Sequence, residues 1–280
     1  MRNAAAIVLD NGHLWVRCHP EHGFVISSLI DLRTGTDFIW RRPARPIVAL
    51  PEVLGPPGSP SNDPDDPVMV GGWFLMFPTS GPVLSEDRWM HGEAMRMAWN
   101  VVEASATFLV AEVRLPSSGF DLRRTVEVGR GTLTVTTVAI NSSGTDQFVS
   151  FGEHASFAFD ALAGASLVGA NGARSWTDTA ADPERSQLAP QSTFAWPDAP
   201  LIGGGRLELS SVPGLADNRH EHVFVEATAI SVRRHGRDLL RLSWDAPGMS
   251  RFLLWQRLDT EPSGAARRVV ALEPTVARRR

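Results

Sequence analysis

Three short stretches hold the residue types that proton-transfer chemistry needs. The first is Gly71-Gly72-Trp73-Phe74-Leu75-Met76-Phe77-Pro78-Thr79, followed by Met90-His91-Gly92-Glu93 and Trp99. The second is Phe151-Gly152-Glu153-His154-Ala155-Ser156-Phe157, and the third is Val269-Val270-Ala271-Leu272-Glu273-Pro274-Thr275. Each sets an imidazole or a carboxylate among aromatic, glycine or apolar neighbours. Partial burial there shifts a pKa toward the range a general acid or base requires. Taken singly, each also has a plain structural reading. A His beside Gly is commonly a hydrogen-bonded scaffold residue, and a Glu closing an apolar strand is commonly a solvated edge.

Composition narrows the chemistry. The 280 residues carry 27 basic side chains, all Arg, against 31 acidic ones, a net charge of −4. Without Lys there is no Schiff-base nucleophile, no lysine to hold PLP and no P-loop lysine. Tyr is absent, and Cys18 is the only Cys. That excludes an internal disulfide, a CxxC pair and a cysteine-rich zinc site. Proton transfer therefore falls to Asp, Glu, the eight His or water. The acidic balance lacks the clustered basic charge of a nucleic-acid footprint. No apolar run reaches membrane-helix length, and the N-terminus lacks a signal-peptide core. A cytoplasmic protein with no nucleic-acid or membrane partner is the expectation.

The elements that must position these groups read as β almost throughout. Leu14 to Arg17, Phe24 to Ile30 and Phe38-Ile39-Trp40 are strand candidates, with Asp31-Leu32-Arg33-Thr34-Gly35 as a turn. Ala106 to Leu115 forms another, closed by Pro116. Leu122–Val128 and Thr132–Ile140 alternate as the arms of a hairpin, and Gly129-Arg130-Gly131 suits a bulged or longer loop. Asn141-Ser142-Ser143-Gly144 ends the second arm. Leu239 to Trp244, Phe252 to Gln256 and Val269 to Leu272 continue the style. No amphipathic helix of a dozen residues appears, which argues against a parallel α/β sheet. The expectation is an all-β antiparallel sandwich forming a single domain over residues 1–280. Pro56 to Pro67 and about Asp178 to Pro200 read as loops.

In their order, these motifs resemble the aldose 1-epimerase (galactose mutarotase-like) family. The resemblance starts at His19-Pro20-Glu21-His22-Gly23 and the segment from Asp31 to Trp40. It continues through Gly71-Gly72-Trp73, Phe77-Pro78, His91-Gly92-Glu93 and Gly152 to Phe157. It ends with Ser243-Trp244-Asp245-Ala246-Pro247, Phe252 to Trp255 and Leu272-Glu273-Pro274. It implies a large antiparallel β-supersandwich with a sugar site, a small-molecule carbohydrate as partner, and catalysis with no metal or organic cofactor. By matching motifs, Glu273 would be the base that takes the anomeric proton and His154 the acid that protonates the ring oxygen. His91 would be a second histidine near the ring oxygen or a hydroxyl. Trp73, Phe77 and Phe157 would offer apolar faces to the sugar, with Glu93 and Arg88 as further substrate contacts. The family pattern has an Asn-Arg pair upstream of its first His, whereas Phe77-Pro78-Thr79-Ser80 holds no Arg, leaving Arg88 or Arg96 for that contact. The pattern also runs further past its Glu than the seven residues after Glu273 here. These two departures keep open a catalytically impaired carbohydrate-binding protein, and sugar-acid lyase chemistry is a third reading.

Other motifs read more plainly. His220-Glu221-His222 puts two His on one strand face, either a metal pair or a solvated strand entrance. Gly203-Gly204-Gly205 reads as a turn, Arg278-Arg279-Arg280 as a short basic tail, and Cys18 as a small buried hydrophobe.

Overall fold

Alternating apolar and polar residues, broken every several positions by Gly, Pro, Asn or Asp, favour extended backbone. The structure is a computed structural model describing residues 2–50, 68–81, 89–177, 185–260 and 267–276. The expected loop from Pro56 to Pro67, Arg88, the first part of the loop starting at Asp178, and the Arg278–Arg280 tail lie outside the described residues. The chain divides into two compact units, Met1–Glu153 and His154–Arg280. Among the described residues, helix is confined to Ala94–Arg96, a single 3₁₀ turn, and Phe159–Leu162. None of it is long and apolar enough to cross a membrane.

Unit 1 contains β1 (Ile7–Asp10), β2 (Leu14–His19), β3 (Val25–Asp31), β4 (Thr36–Asp37) and β5 (Trp73–Met76). It continues with β6 (Asn100–Ala104), β7 (Phe108–Leu115), β8 (Phe120–Gly129) and β9 (Thr132–Asn141). β1 pairs β2, β2 pairs β3, and β4 and β5 each pair β3, all antiparallel. β6 to β9 form a four-stranded antiparallel meander. The inward residues of the two groups share one core: Val16, Cys18 and Ile26 from the first meet Leu109, Leu122 and Val126 from the second. Cys18 is fully buried there, and removal of its thiolate from water pushes its pKa up to about 12.

Two local expectations need correction. The β8–β9 hairpin closes at Gly129 opposite Thr132, so its loop is the two residues Arg130-Gly131 and not a bulged link. Gly131 takes φ 75°, the left-handed backbone such a tight turn demands. Phe38-Ile39-Trp40 does not extend a strand, because β4 stops at Asp37. The Asp37 carboxylate accepts hydrogen bonds from the backbone N–H of Leu29 (3.0 Å) and of Ile39 (3.1 Å), engaging donors a ladder would use.

Unit 2 is built from β10 (Gly152–Ala158), whose first two residues belong to unit 1, then α1 (Phe159–Leu162), β11 (Ser166–Val168), β12 (Arg174–Thr177) and β13 (Thr193–Ala195). There follow β14 (Asp198–Pro200), β15 (Arg206–Glu208), β16 (His220–Val225), β17 (Ala229–Arg234), β18 (Arg237–Ser243), β19 (Arg251–Leu258) and β20 (Arg268–Thr275). The main sheet runs β10-β20-β19-β16-β12-β13, antiparallel from β20 onward. β13 and β14 fall where the sequence reads as loop; each is only three residues long, too short for alternation to show. β19 alternates strictly: Phe252, Leu254, Gln256 and Leu258 are buried on one face, while Leu253, Trp255 and Arg257 are half-buried on the other. The second face includes Leu253, which stands opposite Glu273 of β20.

Candidate active site

Strand register assembles the site. Residues directly opposed in an antiparallel ladder project to the same face. Trp176 is opposed to Phe224, Phe224 to Leu253, and Leu253 to Glu273, so four strands contribute one row. The neighbouring row holds His222, Trp255 and Ala271. β10 adds His154, whose Nε2 lies 3.3 Å from Glu273 Oε1. His154 Nδ1 and Ser156 Oγ share a hydrogen bond at 3.2 Å, and the two residues stand on one side of β10 because they are two positions apart.

Glu273 does not close its strand as a solvated edge. It lies within β20 and is 3% exposed. Burial disfavours its charged form and raises its pKa from 4.5 to about 8. The contact with His154 joins two groups able to exchange or share a proton.

Aromatic rings surround this pair. The indole of Trp255 makes edge contacts with His154, 6.0 Å between centroids, and with His222, 6.1 Å. His220 approaches it at 6.3 Å with a tilted ring. Trp176 stacks on Phe224 at 5.4 Å, and the Arg251 guanidinium lies 5.2 Å over Trp176. Among the described residues, Nε1 of Trp176, Nε1 of Trp255 and Nε of Arg251 are buried with no hydrogen-bond partner. His220 and His222 therefore flank an indole and are not a solvated strand entrance. No third His, Cys, Asp or Glu joins them as a metal-holding group among the described residues. Trp176, Trp255 and Arg251 were not legible as site residues. Only the alternation of His220 to Val225 hinted at a shared face, and the register that adds Trp255 is a tertiary fact.

Of the other expected site residues, His91, Trp73, Phe77 and Glu93 belong to unit 1 and Phe157 to unit 2. His91 is 7% exposed, with Nδ1 3.1 Å from the Met76 sulfur and an edge contact to Phe74. Desolvation first, then the Arg96 charge, lowers its pKa to about 4. Trp73 donates its indole N–H to Glu153 at 2.8 Å. Glu153 also receives a bidentate pair from the wholly buried Arg124, at 2.7 and 2.8 Å. Glu93 is buried with both oxygens engaged: it accepts from the backbone N–H of Ser117 (2.8 Å) and from the N–H and hydroxyl of Ser118. A polar pocket of about 240 Å³ opens beside it, lined in part by Thr79, Trp89, Gly92 and Gln147. Among the described residues that line it, no acid–base pair comparable to His154 and Glu273 appears. Two expected sugar faces are core side chains instead. Phe77 packs edge-on against Phe120 at 4.9 Å, and Phe157 is 1% exposed. Phe157 projects from β10 opposite His154, since an odd number of positions separates them. Arg96, the alternative to Arg88, is buried in the 3₁₀ turn.

Neither the models of protein families nor the curated proteins contain a match to this sequence. Solved structures do match. A galactose mutarotase-like protein from Lactobacillus casei superposes with a TM-score of 0.61 at 15% identity, covering 97% of this chain and 87% of its own. A galactose mutarotase related enzyme from Lactobacillus acidophilus gives 0.58 at 13% identity, over 97% and 85%. A protein from Synechocystis gives 0.68 at 14% identity, over 99% and 87%. At such identities the likeness speaks to architecture and not to activity. Sheets, strand content and superpositions agree: this chain has the all-β, antiparallel β-supersandwich fold of the galactose mutarotase-like proteins.

Proposed function

We propose that the chain is a cofactor-free, aldose 1-epimerase-like enzyme that interconverts the anomers of a small carbohydrate at the His154–Glu273 pair. The observation that supports this reading is the 3.3 Å separation between His154 Nε2 and Glu273 Oε1. The anomeric hydroxyl oxygen and the ring oxygen of an aldose are bonded to the same carbon. One hemiacetal can therefore lie within hydrogen-bond reach of both groups.

The reacting form has Glu273 as carboxylate and His154 as imidazolium. Glu273 takes the proton of the anomeric hydroxyl, and the electron pair left on that oxygen forms the carbonyl. The bond from C1 to the ring oxygen breaks, and that oxygen receives the imidazolium proton. Rotation about C1–C2 presents the opposite carbonyl face. Reversal of the proton transfers then closes the other anomer, with no net change in atoms or charge. Ser156 at Nδ1 orients the His154 ring, and Trp255 supplies an apolar surface beside it.

Polarimetry over a panel of aldoses tests the reading. Wild type should exchange anomers faster than Glu273→Ala on at least one sugar; equal rates on every sugar would remove the enzymatic reading. A carbohydrate-binding protein without catalysis is the second reading, favoured by the absence of Arg from Phe77 to Ser80. It predicts saturable sugar binding by calorimetry with anomer exchange at background.

A further inference from the structure

Long, uncharged edge strands invite pairing with another chain, and folded proteins usually guard them with charge, proline, bulges or short length. Most edges described here carry such protection. β6 has a bulge between Val101 and Glu103 and a charge at Glu103. β18 carries Arg237, Asp238 and Arg241, and β1 has four residues ending in Asp10. β11 and β13 have three residues each.

β9 is the exception. Its ten residues, Thr132-Leu133-Thr134-Val135-Thr136-Thr137-Val138-Ala139-Ile140-Asn141, contain no charge, no proline and no glycine. It pairs with β8 without register shift along its whole length and is the last strand of the meander. Gly129 and Thr132 close a two-residue hairpin, so even-numbered residues of β9 bond to β8. The backbone groups of Leu133, Val135, Thr137, Ala139 and Asn141 consequently point away from β8. Among the described residues, no strand pairs with that edge. The outer face shows the same contrast: β7 and β8 present the ion pairs Arg114–Asp121 and Arg123–Glu112, whereas β9 presents Thr134, Thr136, Val138 and Ile140. Val138 and Ile140 are 51% and 60% exposed.

We propose that β9 is a homodimer interface at which two copies pair antiparallel, edge to edge, about a two-fold axis near Thr137. In that register Val135 of one copy lies opposite Ala139 of the other, and Leu133 opposite Asn141. Outward backbone donors then meet outward acceptors, and the two meanders join into one sheet. Thr136 of one copy comes beside Val138 of the other, covering the exposed apolar strip. A second copy fits this edge because a neutral strand meets no like charge when it pairs with itself. A partner chosen by charge would find nothing on β9 to read.

Sedimentation equilibrium on the full chain tests the proposal. Wild type should have twice the chain mass at micromolar concentration. Ala139→Pro removes an outward N–H that β8 does not use, and should yield a monomer with an unchanged circular dichroism spectrum. Thr136→Glu and Thr136→Arg set like charges across the axis and should each be monomeric, while an equimolar mixture of the two recovers the dimer. If Ala139→Pro fails to fold, the Thr136 pair decides the question. A monomeric wild type, dimers that survive both Thr136 charges, or a mixture that stays monomeric each overturn it. Capture of a different protein by this edge would appear as a monomeric purified chain, which is also a refutation.

Discussion

His154 Nε2 and Glu273 Oε1 lie 3.3 Å apart, and the two side chains are 7% and 4% exposed. A buried carboxyl beside an imidazole has two consequences measurable by pH. Catalysis as proposed needs the Glu273 carboxylate, and burial raises its pKa to about 8. The kcat/KM for anomer exchange should therefore rise with pH as Glu273 ionises and fall again where the His154 imidazolium is lost. The inflection belongs to the pair and not to Glu273 alone. A flat profile from pH 6 to 9 (about three decades of proton activity) would count against Glu273 as the base.

The same shift acts on stability with a definite sign. The folded pKa of Glu273 lies above its unfolded value of 4.5, so the folded state holds more protons between pH 4.5 and 8. Stability from this group is present below 4.5 and is lost as pH rises through 8. Glu273→Gln should show a flatter decline, with a gain on the order of a few kcal/mol above pH 8 by urea unfolding.

His91 titrates with the opposite effect. Its folded pKa, about 4, lies below the ordinary 6.5, so the folded state binds fewer protons between those values. Stability from this group is complete above 6.5 and is lost as pH falls toward 4. His91→Asn, which tolerates the left-handed backbone at φ 58°, should reduce the acid slope of the unfolding midpoint across that window.

Arg124 supports unit 1 and takes no part in the proposed chemistry. Its guanidinium is fully buried and holds Glu153, while Thr137 Oγ1 accepts a further bond at 2.8 Å. Arg124→Met leaves a largely buried carboxylate without its partner and should cost about 3–5 kcal/mol by urea unfolding. The double variant Arg124→Met with Glu153→Leu should recover most of that loss. If the double variant is as unstable as the single one, the guanidinium stabilises by packing and not by pairing.

Trp255 touches three histidine rings. Trp255→Ala should lower kcat for anomer exchange by roughly ten- to hundredfold, because His154 loses the surface that fixes its ring. Trp255→Phe keeps an aromatic edge and should retain most of the rate. A rise in KM alone, with kcat intact, would assign Trp255 to sugar binding instead of His154 positioning.

Local structure was readable wherever alternation was long. The β8 and β9 arms emerge from the sequence nearly residue by residue, since ten-residue strands average over exceptions. Phe38 to Trp40 misled because a single carboxylate, Asp37, diverted the backbone donors. Phe77 and Phe157 misled for a different reason. Aromatic type is visible in a sequence, but the face a strand residue occupies depends on what lies above and below the sheet. The same limit hid Trp176, Trp255 and Arg251.

By itself the sequence determined the chemical inventory and the local backbone: carboxylate and imidazole as proton carriers, no lysine or tyrosine chemistry, and strands nearly throughout. It also ordered His154 and Glu273 along the chain. Only the tertiary structure decided that these two meet, that burial moves Glu273 toward a basic pKa, and that Trp255 and His222 stand in the adjoining row. Register across β16, β19 and β20 and the desolvation behind it arise from many weak contacts between residues distant in sequence. No local pattern encodes them.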